Sequence, residues 1–173
     1  MSGTRKNSMA AVLSFVLRVI FWLTLALGFI IFVILTLGII GSLNGGELSL
    51  PGAQLVSEEV PVGRLIGALI AALIFFSGFA YVIKQLRNIL KTLADGDPFV
   101  PENAPRLTHI AIAIAGIEVI RNIAAFIINA AFSLGEVTLR IDLAVWGAVI
   151  VLLVLAQVFK EGTRLREEEK MTI

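Results

Sequence analysis

Residues 12–41 read VLSFVLRVIFWLTLALGFIIFVILTLGIIG, an apolar run interrupted by one charge, Arg18. A bilayer's hydrocarbon core is about 30 Å thick, and about 20 apolar helical residues cross it. Three further stretches, 62–83, 107–134 and 141–159, reach or approach that length. Leu, Ile, Val and Phe dominate all four. A membrane barrel would instead show alternating segments of about ten residues, so the stretches predict helices. Arg5 and Lys6 precede the first stretch, as in a signal peptide. Its apolar run is far longer than the roughly 7–15 residues of an h-region, and it reads as an uncleaved helix. The fold class expected is an all-α membrane protein, with four transmembrane helices in a bundle and residues 1–173 forming one domain.

Composition agrees. The chain is 58% hydrophobic and 16% charged, with mean hydropathy +0.95. A soluble domain is about 45–50% apolar and about 25% charged. The 14 Lys and Arg nearly balance the 13 Asp and Glu, so the total charge says nothing about nucleic acid or acidic partners, and no direct nucleic-acid binding is expected. The absence of cysteine excludes disulfides and thiol redox chemistry. One histidine, His109, gives no histidine-rich metal site. Phosphate-binding Gly-Lys-Ser/Thr loops, His-Glu-x-x-His and serine nucleophile elbows are absent. The reading is therefore a protein that is not an enzyme and takes no cofactor and no metal.

Orientation follows from the basic residues of the connections. One side holds Arg5, Lys6, Lys84, Arg87, Lys91, Arg106, Lys160, Arg164, Arg166 and Lys170. The other holds only Arg64 and Arg140. Both termini, the 84–106 connection and the 160–173 tail are expected on the cytoplasmic side of a bacterial inner membrane. In the first outer loop Glu47-Leu48-Ser49-Leu50 alternates between turn residues, and Glu136–Asp142 alternates in the second. Alternation of this kind is a strand signal, and a small extracytoplasmic β-cap drawn from both loops competes with irregular loop.

Leu86, Leu90 and Leu93 keep helical spacing, so the second helix continues past the membrane as an amphipathic arm. Asp95-Gly96-Asp97-Pro98 then breaks it, and Asn103 with Pro105 starts the third helix. The fourth helix overruns similarly into 161–170.

The third stretch carries a polar constellation. Glu118, Arg121 and Asn122 stand at i, i+3 and i+4 on one helical face, which Ala111, Ala115, Ala125 and Asn129 extend. Intramembrane charges are costly and usually pair inside a bundle. Two readings stand: a polar clamp that fixes helix packing, or a pocket for a ligand or signal. A transport pathway lacks a second acidic residue in another span. Arg18 is placed to snorkel to the headgroups. Gly63-x-x-x-Gly67-x-x-x-Ala71 allows close helix approach, within the chain or in a homo-oligomer.

Gly96-Asp97-Pro98-Phe99, then Glu102-Asn103 and Arg106-Leu107, resembles the central signature of a bacterial membrane family known as domain of unknown function 2975. The end is similar in style, from Ala156-Gln157-Val158-Phe159-Lys160-Glu161-Gly162 to Met171-Thr172-Ile173. The resemblance runs from about Leu86 to the end. It implies a regulatory or sensing membrane protein that works with a small cytoplasmic helix-turn-helix transcription regulator, and it assigns no residue a role. The partner surface expected is Asp97, Pro98, Phe99, Glu102, Asn103 and Arg106, with Phe99 and Val100 as exposed apolar residues that touch either a partner or the bilayer surface. The competing readings are a small oligomeric transporter or channel and a purely structural membrane subunit.

Overall fold

The computed structural model describes residues 3–45, 47–50, 53–56, 60–132 and 141–171, with side chains for 12–45, 60–127, 141–169 and 171. Among these, four helices and two short strands occur: α1 (Gly3–Leu43), β1 (Glu47–Leu50), β2 (Ala53–Val56), α2 (Val62–Ala94), α3 (Asn103–Phe132) and α4 (Leu143–Met171). All four helices contain a span long and apolar enough to cross a membrane. At 33 residues, α2 is about 50 Å long by its helical rise, which exceeds the hydrocarbon thickness. The 29-residue α4 exceeds it too. Both therefore continue as unbroken helix beyond the apolar runs, through the 84–93 arm and the 161–170 segment.

The helices present large apolar side chains outward. Trp22, Phe29, Ile112, Phe126 and Val151 are each at least half exposed. Such a surface is a liability in water and an ordinary lipid face in a bilayer.

The β1 strand pairs antiparallel with β2 in the register Glu47↔Val56 to Leu50↔Ala53. Two residues separate the strands, the length of the tightest hairpin connection. Of the expected cap, the strand of the first loop is present, and it finds its partner a few residues on in its own loop, at small closure cost. The second loop, 133–140, and the side chain of Asn129 lie outside the described residues.

The chain divides into two compact units. The first comprises residues 1–23, 78–116 and 142–173. Its core is a cluster of Val82 and Ile89 from α2, Leu107 and Ile110 from α3, and Ala156 from α4. Leu86, Ile114, Leu152 and Phe159 pack against it. The inward rows are 82–86–89, 107–110–114 and 152–156–159, each at helical spacing of three and four. Of the arm leucines, Leu86 joins this core, whereas Leu93 faces outward. The Arg87 guanidinium lies 5.9 Å from the Phe21 ring centroid, which brings α1 against α2 at cation–π distance.

The second unit comprises residues 24–77 and 117–141. Here α1 and α2 approach closely at Gly28, where a Cβ would lie 3.0 Å from the Phe76 ring. The Ser42 hydroxyl donates to the Val60 carbonyl at 2.8 Å and ties the end of α1 to the start of α2.

The burial pattern of α3 gives a direct check. Ile110 is buried at 2% exposure, while Ile112 stands at 61%. Ile110→Ala should lower unfolding stability by about 2–5 kcal/mol, because it removes packed atoms and leaves a cavity. Ile112→Ala should leave it nearly unchanged. Thermal unfolding in detergent reads both, and equal losses would contradict the facing described here.

Candidate functional site

The α2–α3 connection is a built turn. At the end of α2, Gly96 adopts a positive φ of 82°, a conformation glycine reaches without a Cβ penalty. Asp97 N donates to Thr92 O at 3.0 Å and Gly96 N to Leu93 O at 3.1 Å. That pair of bonds is the Schellman motif, and Pro98 then prevents helix continuation.

Asn103, the first residue of α3, is completely buried. Its Nδ2 donates to Thr92 Oγ1 at 2.7 Å and to the Pro98 carbonyl at 2.9 Å. Its Oδ1 accepts from Arg106 Nη1 at 2.9 Å. The Thr92 hydroxyl in turn donates to Ile89 O at 2.7 Å. One side chain thus joins the last turn of α2, the connecting turn and the first turn of α3. Left unpaired, a buried amide would cost about 1–3 kcal/mol.

The same turn is fastened to α4. The Phe99 ring lies against Gly162, where a Cβ would come within 2.7 Å of it. It also contacts Phe159, with ring centroids 5.5 Å apart. The Thr163 hydroxyl stands 2.9 Å from Phe159 O and 3.3 Å from Phe99 O, so its one proton can serve either carbonyl. Arg166 forms an ion pair with Asp97 across 69 residues of sequence.

These contacts change the reading of the expected partner surface. Asp97 is held by Arg166, the Pro98 carbonyl by Asn103, and Arg106 by Asn103. Asn103 has no exposed surface. Val100 is half-buried, and Phe99, at 39% exposure, lies partly over Gly162. Of the six, only Glu102 and Phe99 are exposed. The signature residues are chiefly a clasp, because a turn rich in polar groups must satisfy them before it can pack on a helix.

Gly162 and Thr163 escaped the sequence reading. Their signal was a glycine set in the charged run Lys160-Glu161-Gly162-Thr163-Arg164, where a helix interior disfavours it.

The second polar site lies on α3. Arg121 Nε donates to Glu118 Oε2 at 3.0 Å and Nη2 to Oε1 at 2.5 Å, a two-pronged pair. Asn122 Nδ2 donates to the Glu118 carbonyl at 2.9 Å and to Oε1 at 3.1 Å. Glu118 is 6% exposed, whereas the Arg121 side chain is half exposed. Both amide bonds of Asn122 stay within α3. The carboxylate is therefore neutralised locally by the i+3 and i+4 geometry. Beside it lies a cavity of about 370 Å³, lined by Ala71, Ala72 and Phe75 of α2 and by Arg121, Ala124 and Ala125 of α3. Ala111 is buried and Ala115 half-buried, but Ala125 is exposed, so the small-residue face does not turn inward along its whole length.

Four long apolar helices and a turn clasped to the last of them define a multi-pass membrane protein. A family model described as protein of unknown function (DUF2975) matches residues 47–173, and the chain belongs to that family. The match begins well before Leu86 and takes in the hairpin, α2, the clasp and α4, while α1 precedes it. No curated protein and no solved structure matches the chain.

Two substitutions test these sites. Gly162→Ala should destabilise by about 1–3 kcal/mol, since its methyl group would overlap the Phe99 ring. Adding Phe99→Ala should restore part of the loss, read as the melting temperature of single and double variants in detergent. At the polar cluster, Arg121→Leu should hurt more than the Glu118→Met/Arg121→Leu double variant. The single change strands a buried carboxylate, with a cost towards the lower end of about 3–5 kcal/mol because Arg121 is half exposed. Equal stability of the two would contradict a purely structural role for the pair.

Proposed function

We propose that this protein is a membrane-embedded regulatory or sensing protein that holds a small cytoplasmic helix-turn-helix transcription regulator. The observation that carries the reading is the clasp itself. A membrane anchor needs no tertiary lock beyond its apolar runs. Here Thr92, Asp97, Phe99 and Asn103 are locked to one another or to Phe159, Gly162 and Arg166 by contacts up to 69 residues apart. Ordering three chain segments costs conformational entropy. It yields a preorganised surface, which reduces the entropy a partner's binding would cost.

Charge supports the choice of partner. The exposed charged residues of 91–106 and 160–169 are Asp95, Glu102, Glu161, Glu167, Glu168 and Glu169 against Lys91, Lys160 and Arg164. An acidic face suits a basic protein, and DNA-binding domains are basic on the surface that meets phosphate. The basic bias of the connections supports a cytoplasmic location for this face and for both termini.

Affinity purification from native membranes should recover a small basic DNA-binding protein. Glu168→Lys/Glu169→Lys should release it by charge reversal, and Phe99→Ala should release it by loosening the clasp. Recovery that is unchanged in both variants, or no such protein from native membranes, would refute the reading. Reporter fusions give the orientation independently. A fusion at residue 173 should report cytoplasm, and one placed within 49–58 the opposite side.

A further inference from the structure

The first unit contains an open groove of about 920 Å³ between the start of α3 and the second half of α4. One wall carries Pro101, Pro105 and His109, and the other Leu153, Lys160 and Glu167. This volume is in the range of small-molecule sites. The groove lies where both helices change character. On α4 the apolar run ends at Phe159 and charge begins at Lys160; on α3 the apolar run begins at Leu107. One end is therefore apolar and the other charged, and the boundary between them falls where a membrane helix leaves the hydrocarbon.

The charged end holds both signs. Lys160 and Arg164 are the cations, and Glu161 and Glu167 the anions. Arg164 is engaged, with Glu161 at 2.5 Å and Glu168 at 3.7 Å. Lys160 and Glu167 form no ion pair among the described residues. Among the described residues the groove thus offers one ammonium and one carboxylate outside any ion pair, two helical turns apart, above an apolar floor at Leu153 and Ala156.

We propose that this groove is a phospholipid site, which takes an aminophospholipid headgroup at its charged end and the first part of one acyl chain at its apolar end. The Lys160 ammonium and the positive end of the α3 dipole meet the phosphate. The Glu167 carboxylate accepts from the headgroup ammonium. The balance of charge, two cations against two carboxylates, selects a zwitterionic headgroup, since an anionic one has no ammonium to meet the Glu167 carboxylate. A choline headgroup has no N–H to donate and binds less well. The site stands on the groove alone and does not depend on any soluble partner.

Native mass spectrometry of the full chain, reconstituted in equal parts of phosphatidylethanolamine, phosphatidylglycerol and phosphatidylcholine and then extracted in mild detergent, tests it. Wild type should retain one phosphatidylethanolamine preferentially. Lys160→Gln should lower that retention about tenfold, the scale of one charge-assisted contact. Leu153→Trp, which fills the apolar end, should lower it similarly. Lys84→Gln, an exposed lysine outside the groove, should leave it unchanged. Lys160 and Leu153 are exposed, so both variants should keep the wild-type melting temperature. Equal retention of the three lipids, a preference for phosphatidylglycerol, or wild-type retention in both groove variants would overturn the proposal.

Discussion

The burial of one amide, Asn103, governs the arrangement of the α2–α3 end of this protein. A primary amide offers two donors and an acceptor and tolerates burial only when they are met. Asn103 meets them with Thr92, Pro98 and Arg106, and each bond fixes a different segment. The bond to Thr92 fixes how far α2 runs before it ends. The bond to Pro98 fixes the path of the turn. With that path set, Asp97 and Phe99 are placed to meet Arg166 and Gly162 on α4. The glycine matters because the ring approaches the helix backbone more closely than any side chain there would permit.

Two of the buried polar groups, Glu118 and Asn103, are handled in opposite ways. Glu118 is neutralised within one helix by Arg121 and Asn122, so its burial constrains no other element through these bonds. Asn103 is satisfied by partners from neighbouring segments and therefore organises them. A locally closed pair suits a hydrocarbon setting, where an unmet charge is costly wherever the helices happen to pack. A distributed network suits a region that must hold one shape at the membrane boundary. Under the proposed function, the clasp and not the intramembrane pair is the feature a partner would meet.

Much of this was legible in the sequence because its causes are local. Four apolar runs specify four helices, Gly96 and Pro98 specify a stop, and the spacing of Glu118, Arg121 and Asn122 specifies their contact. The Asp97–Arg166 pair was not legible, since nothing in either residue's neighbourhood points across 69 positions. The direction of Asn103 was hidden for a related reason. At a helix start this residue type ordinarily caps forward, and here it reaches back to Thr92 and Pro98. The strand at 47–50 was visible by alternation, but alternation does not name a partner, and the nearer segment 53–56 took it. The groove rim was overlooked because Lys160 and Glu167 read singly as solvated charges.

The central claim is that the turn is locked onto α4, and proximity in the native membrane tests it most directly. The chain contains no cysteine, so an introduced pair reports without background. With Phe99→Cys and Gly162→Cys, mild oxidant in native membranes should close a disulfide rapidly, since the Phe99 carbonyl lies 3.3 Å from the Thr163 hydroxyl beside Gly162. The pair Phe99→Cys with Gly147→Cys, about 22 Å further along α4 by helical rise, should stay reduced. Rapid closure of the first pair alone is the predicted result. Equal rates for the two pairs, or no closure of the first, would contradict the account.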